Sequence, residues 1–178
     1  MTKFLLAVHV IAAIIAIGPV TVAASMFPAA VRRASAAAPE HAGADADAGA
    51  EAGAEAGAGA WASVGLLHRI CRIYAVVGVS VPVFGFATAS NMGVLGDPWL
   101  IVSIALTAAA AVILAALVLP RQNALIETAG AGAASGAVPS AVERAATAQL
   151  AMYTGLFNIL WATVTVLMIV RPGSTTGA

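Results

Sequence analysis

Four uncharged runs constrain this chain more than any other feature of its sequence. Each continues for about 20 residues or more without Asp, Glu, Lys or Arg, which is the length of a membrane span. A helix rises about 1.5 Å per residue and the hydrocarbon core is about 30 Å thick, so each run can cross once. The runs are Phe4–Phe27, Ile73–Leu95, Trp99–Leu119 and Leu150–Val170. We predict an all-α polytopic membrane protein with four transmembrane helices in an antiparallel bundle.

The composition agrees with a membrane location. Of 178 residues, 61% are hydrophobic and 9% are charged, and the mean hydropathy is +0.97. Eight Lys and Arg balance eight Asp and Glu, so no overall charge attracts nucleic acid, and the expected surroundings are the lipid bilayer. A single cysteine, Cys71, can form neither an intrachain disulfide nor the usual thiolate metal site.

The first run also resembles a signal peptide, with Lys3 before it and the small residues Val22-Ala23-Ala24 as a possible cleavage site. Its uncharged length exceeds the usual apolar region of about 7–15 residues. Arg32 and Arg33 follow directly, as expected for the cytoplasmic end of a retained anchor. A retained helix is therefore the prediction, and a cleaved signal is the alternative.

Two segments between the runs have the composition of flexible loops. Residues 34–60 are rich in Ala and Gly and carry five acids but no base after Arg33, so they offer no large side chain to bury. We expect a disordered acidic loop over 34–60 and a second flexible loop over 121–139, both cytoplasmic.

Several residues mark the ends of the predicted helices. Asp97-Pro98 is typical of a helix start, and Ser140 followed by Glu143 matches a capping box. Pro120 is expected to end the third span, and Arg171-Pro172-Gly173 the fourth. Inside the spans, Pro19 and Pro82 favour kinks.

The distribution of basic residues predicts an orientation. With four spans, residues 28–72 and 120–149 share one face of the membrane and contain six arginines, against Lys3 and Arg171 on the other face. The positive-inside rule therefore places both long loops in the cytoplasm and both termini outside. Acidic residues contribute little to that rule.

His9 is the one ionisable side chain deep in a predicted span, so it is the candidate cofactor ligand. The competing interpretation is that its ring hydrogen-bonds to a neighbouring helix and serves packing. His68 lies near the opposite face, so one haem iron cannot join the two histidines across a core of about 30 Å. A haem bound through His9 would need a second protomer or a methionine as its second ligand, and the spacing selects none of the candidates Met26, Met92, Met152 and Met168. Haem and copper are both cofactors that His9 could bind.

Other catalytic classes lack their functional groups. Every acid falls in a predicted loop or at a helix edge, so a proton-coupled cation exporter has no membrane-embedded carboxylate. The sequence contains no HExxH, Walker-type lysine loop, GxSxG or CxxC motif, and we expect no enzyme.

Small and polar residues in the spans have the spacing of helix-packing positions. Ser103 and Thr107 begin a row of small residues on the third span, and Thr154 and Asn158 share a face of the fourth. We predict that Asn158 hydrogen-bonds to another helix near mid-membrane.

The first span, from Leu6 through His9 to Gly18-Pro19 and on to Met26-Phe27-Pro28, resembles that of a bacterial family of predicted four-helix integral membrane proteins of unknown function. It is also distantly similar to copper-resistance D-type membrane domains, in which a His precedes a Gly in the first helix. That similarity extends to His9 and Gly18 alone, since this chain lacks the further His or Met pattern of a metal role.

Taken together, these features predict a multi-pass protein of the bacterial inner membrane. Its expected role is a non-catalytic structural or accessory subunit that contacts other membrane-protein subunits or a second copy of itself. The alternative is a small haem- or metal-handling protein that uses His9.

Overall fold

The computed structural model describes residues 1–37, 47–134 and 140–173, which form helices and turns without a strand. The helices are α1 (Thr2–Ala36), α2 (Asp47–Val77), α3 (Ser80–Met92), α4 (Pro98–Val112), a π-helical segment (Ile113–Val118), α5 (Leu119–Ala134) and α6 (Ala141–Val170). The all-helical prediction is confirmed.

Four helical stretches are long and apolar enough to cross a membrane, in agreement with the four predicted spans. They are Thr2–Ala36, Glu55–Met92, Pro98–Gly132 and Ala141–Val170. In the most apolar window of each, between 11% and 22% of the residues are buried inside the protein. Large apolar side chains such as Ile14, Val76 and Ile169 instead face outwards. Lipid can solvate such a surface, whereas water cannot do so without cost.

The helices pack around a core that runs along α1. Helix α1 contacts α2, α3, α5 and α6, and α4 packs along α6. Phe27, Val64, Val118 and Leu150 are fully buried in this core. A second, smaller cluster joins α3 to the start of α4 through Ala89, Trp99 and Leu100.

Three predicted helix boundaries are confirmed. The Ser140 hydroxyl accepts a hydrogen bond from the Glu143 backbone N–H at 3.1 Å, and the Glu143 carboxylate accepts one from the Ser140 N–H at 2.6 Å, which completes the capping box. Asp97 precedes α4 with Pro98 in its first turn. Helix α6 ends at Val170, and Arg171 adopts a left-handed conformation with φ of 43°.

The structure differs from the expected loop over 34–60. Helix α1 continues to Ala36 and α2 begins at Asp47, while residues 38–46 lie outside the described residues. Alanine favours helix, and this segment continues directly into the packed turns around Val64. Gly57 is buried, and a Cβ there would lie 3.3 Å from the Ala37 carbonyl oxygen. Glycine therefore allows a close approach of α1 to α2 where the sequence suggested only helix interruption.

The third helix also extends beyond its predicted end at Leu119. It passes through Pro120 and continues as α5 to Ala134, so most of the expected loop over 121–139 is helical; residues 135–139 lie outside the described part. Proline removes a backbone donor, and its ring clashes with the carbonyl four residues earlier in a regular helix. A π-helical segment, Ile113–Val118, precedes Pro120, and the Leu119 N–H donates to the Leu114 carbonyl five residues earlier.

Between α2 and α3 the second helix bends at Gly78. Pro82 cannot donate to the Gly78 carbonyl, which instead accepts from the Val81 N–H at 3.1 Å. The Val77 carbonyl thereby loses its helical donor, and the Ser80 hydroxyl replaces it at 2.7 Å. This is how the kink predicted at Pro82 is stabilised, with its hydrogen bonds restored inside an apolar segment.

Candidate functional site

His9 joins α1 to the half-helix beyond the bend. Its Nδ1 lies 3.0 Å from the carbonyl oxygen of Val81 on α3. A carbonyl oxygen can only accept, so Nδ1 is the donor of this hydrogen bond and Nε2 is the ring nitrogen that it leaves over. Gly85 makes room for the ring, because a Cβ there would lie 3.0 Å from His9 Cε1. His9 therefore connects two helices and retains one nitrogen that could accept a further partner.

His68 belongs to a different cluster, which the sequence did not single out. Its Nδ1 donates to the Gln122 Oε1 at 3.1 Å, and the Gln122 Nε2 donates to the Cys71 Sγ at 3.6 Å. Gln122 is fully buried and ties α2 to α5. The sequence gives no sign that Gln122 is buried, because this residue falls just after Pro120 in a segment predicted to be a flexible loop and not a helix.

The two histidines do not form one site. Val81, the partner of His9, is 13 residues beyond His68 on α2 and α3, which corresponds to about 20 Å of helical rise. Among the residues described, no three His, Cys, Asp or Glu side chains are grouped so that they could hold one metal ion.

Two of the predicted packing residues bond within their own helix. The Ser103 hydroxyl donates to the Trp99 carbonyl oxygen at 2.8 Å, and the Thr107 hydroxyl donates to the Ser103 carbonyl oxygen at 2.7 Å. Asn158 is different, because its Nδ2 donates to the Ser25 hydroxyl of α1 at 3.0 Å. Thr154 is buried on the same face of α6 as Asn158.

This part of α6 contains polar atoms that are buried without a hydrogen-bond partner among the described residues. They are Thr154 Oγ1, Asn158 Oδ1 and Trp161 Nε1. Such groups cost free energy in an apolar interior, where most buried polar atoms are paired. Trp161 of this strip also lines a pocket between the helices.

A pocket of about 150 Å³ lies between the helices at the level of the bend. Its walls come from all four spans and contain no Asp, Glu, Lys, Arg or His. They are formed by Ile17, Val20, Tyr74, Ala75, Gly78, Val79, Pro82, Thr107, Ala110, Ala111, Leu114, Phe157 and Trp161.

Two irregular helix segments meet at this pocket. Gly78 and Val79 form the bend between α2 and α3, and Leu114, another lining residue, belongs to the π-helical segment. Helix irregularities inside a membrane are tolerated where they are buried in protein or line a cavity, and π-helical turns often occur at functional sites. The pocket is therefore the strongest candidate for a ligand site, although no residue pattern in the sequence pointed to it.

Comparison with protein-family models gave no match, and searches of curated proteins and of solved structures found no similar chain.

Proposed function

We propose that this chain is a multi-pass protein of the bacterial inner membrane, with no catalytic activity of its own, that acts as a structural or accessory subunit. The observation that carries the proposal is that hydroxyl groups in the spans donate their hydrogen bonds within their own helices. The hydroxyls of Thr88, Ser103, Thr107, Thr163 and Thr165 each donate to a carbonyl four residues earlier. In this arrangement these five hydroxyls donate within their own helix and are not directed at a base that could activate them.

The proposed arrangement is an antiparallel bundle with both termini outside. Its support is the pairing of α1 with α2 and α3, because His9 near the start of α1 meets Val81, while Ala37 at its end lies beside Gly57. The six arginines of residues 28–72 and 120–149 mark the cytoplasmic side.

The cytoplasmic ends of the helices are the proposed contact region for a partner subunit. A helix of 35 residues, such as α1, is about 50 Å long, which exceeds the hydrocarbon core by about 20 Å. The excess at the arginine-bearing end places surface beyond the lipid, where another membrane-protein subunit or a second copy can bind.

Two experiments test this proposal. Single cysteines at Ala50 and Thr176 in a Cys71→Ser background report sidedness, and an impermeant reagent should label position 176 but not position 50 in intact cells. After extraction in a mild detergent, native mass spectrometry should find a discrete assembly larger than the 17.6 kDa protomer. Labelling at position 50 contradicts the orientation, and a protomer free of partners under every extraction contradicts the accessory role.

A haem- or metal-handling role for His9 is the second candidate, and one observation favours it. A metal-ligating histidine commonly donates its other ring N–H to a carbonyl or carboxylate, which fixes the tautomer. The His9–Val81 hydrogen bond has this form. A Soret band or stoichiometric copper in the purified protein, lost in His9→Gln, would favour this role over the first.

A further inference from the structure

The pocket at the Gly78 bend opens towards the outside of the bundle. Val79 on one wall is 62% exposed, and Ala111 on the opposite wall is also exposed. Val76 and Val83, about one turn before and after Val79, and Val112, next to Ala111, are also large, apolar and exposed. A molecule that enters the pocket from this side therefore comes from an apolar phase.

Polar atoms are few in the walls, where the Tyr74 hydroxyl and the Ala75 carbonyl are the groups left over by the helix hydrogen bonds at the bend. The Gly78 N–H donates to the Tyr74 carbonyl at 2.8 Å, and the Thr107 hydroxyl donates to the Ser103 carbonyl. The indole Nε1 of Trp161 lacks accessible surface, so its N–H cannot reach a ligand in the open volume. Hydrocarbon is the chemistry that these walls match.

The size of the pocket limits the occupant to a short hydrocarbon segment. An apolar cavity of about 150 Å³ stays dry and accepts a molecule the size of benzene. The pocket has this volume, which suits part of one acyl chain and is too small for a helix or a whole lipid.

Arg72 supplies a charge at the distance that a lipid requires. It is exposed on α2, two turns before Val79 at the mouth of the pocket, which corresponds to about 10 Å of helical rise. A lipid phosphate beside Arg72 would therefore place its acyl chain alongside the opening.

We propose that this pocket is a lipid-binding site that holds one acyl chain of a phospholipid whose phosphate pairs with Arg72. This inference rests on the proposed location in the membrane. The acyl chain fills the space between Gly78 and Val79 of the second span and Ala111 and Leu114 of the third.

Quenching of Trp161 by brominated lipid tests the acyl-chain part directly. Trp61→Phe and Trp99→Phe leave Trp161 as the single tryptophan, and the protein is reconstituted into vesicles of phosphatidylcholine and phosphatidylglycerol with dibrominated chains. We expect a loss of Trp161 emission that is relieved by Ala111→Phe, which fills the mouth. The matched variant Ala109→Phe is exposed on the same helix but does not line the pocket, and should leave the quenching unchanged.

Native mass spectrometry provides a second measurement, in which the wild type and the variants keep all three tryptophans. One phosphatidylglycerol should remain bound to the wild type and to Arg33→Gln, and should be lost from Ala111→Phe and Arg72→Gln. Retention by all four proteins, or equal quenching in the two phenylalanine variants, overturns the site. Vesicle flotation separates the two proposals: failure to float with the vesicles contradicts the membrane location, whereas flotation without Trp161 quenching contradicts the pocket alone.

Discussion

The two ends of the bundle are held together by different interactions. One end, called the α5 end, is formed by all of α5 together with residues 24–36 of α1, 55–72 of α2 and 141–157 of α6. It contains most of the large buried side chains and the buried amide of Gln122. The α3 end comprises residues 2–17 of α1, α3, and the facing parts of α4 and α6. There His9 bonds to Val81, and a small cluster surrounds Trp99.

This difference follows from the side chains that each end contributes to the contacts. Large buried side chains make many van der Waals contacts and leave a cavity when they are truncated, whereas a single hydrogen bond contributes less. The α5 end therefore depends on large apolar side chains, whereas the α3 end depends more on the His9–Val81 hydrogen bond and on the room that Gly85 leaves for the ring. Four substitutions test this contrast, from the largest expected effect to the smallest.

Phe27→Ala should cause the largest loss of stability. Phe27 is fully buried at the α5 end, and removal of such a ring costs about 3–5 kcal/mol in the free energy of unfolding. Phe4 at the α3 end is 71% exposed, so Phe4→Ala should change that energy by less than about 0.5 kcal/mol. Denaturant unfolding in detergent measures both variants, and equal losses would contradict the proposed contrast.

Gln122→Ala should cost about 1–3 kcal/mol, because it leaves the buried Cys71 and the half-buried His68 without their partner. The same assay applied to His68→Ala and to the double variant should reveal coupling, since the two residues share one hydrogen bond. Asn123→Ala is the control, as Asn123 is exposed on the next position of α5. Strict additivity of the two changes would show that the His68–Gln122 hydrogen bond contributes no coupling energy.

Ser140→Ala should cost about 1 kcal/mol, since it removes the side-chain half of the capping box at the start of α6. Hydrogen exchange should show faster opening of the first turn of α6, with the Trp99 cluster at the far end unaffected. Ser63→Ala removes an exposed hydroxyl that bonds to its own helix and serves as the comparison. Faster exchange throughout α6 would mean that its two ends unfold together.

His9→Gln should have the smallest effect, because an amide can replace the bond to Val81 and intramembrane hydrogen bonds average about 0.6 kcal/mol. His9→Leu should cost little more if the Val81 carbonyl keeps its helical partner. Thermal unfolding in detergent, together with an absorption spectrum, measures both. Loss of a chromophore or metal with the bundle still folded would instead assign His9 a ligand role.

Local sequence signals predicted where helices begin more accurately than how far they extend. Ser140 with Glu143 and Asp97 with Pro98 marked helix starts that the structure contains, because capping depends on neighbouring residues alone. Pro120 and the glycines of residues 47–60 suggested interruption, yet helices pass through both segments. At Gly57 the close approach of α1 belongs to the tertiary packing, which overrides propensity, and before Pro120 the helix widens into a π-helical segment.

The sequence by itself determined the four apolar helices. It also determined the uneven distribution of basic residues between their two ends and the positions of the prolines within them. The tertiary structure decided which groups meet: His9 with Val81, Gln122 with His68 and Cys71, and the Gly78 bend with the π-helical segment across one pocket. The physical reason is that hydrophobic length and capping are properties of a single segment. Contacts between helices depend instead on their relative rotation and depth, which only the packing of all four spans specifies.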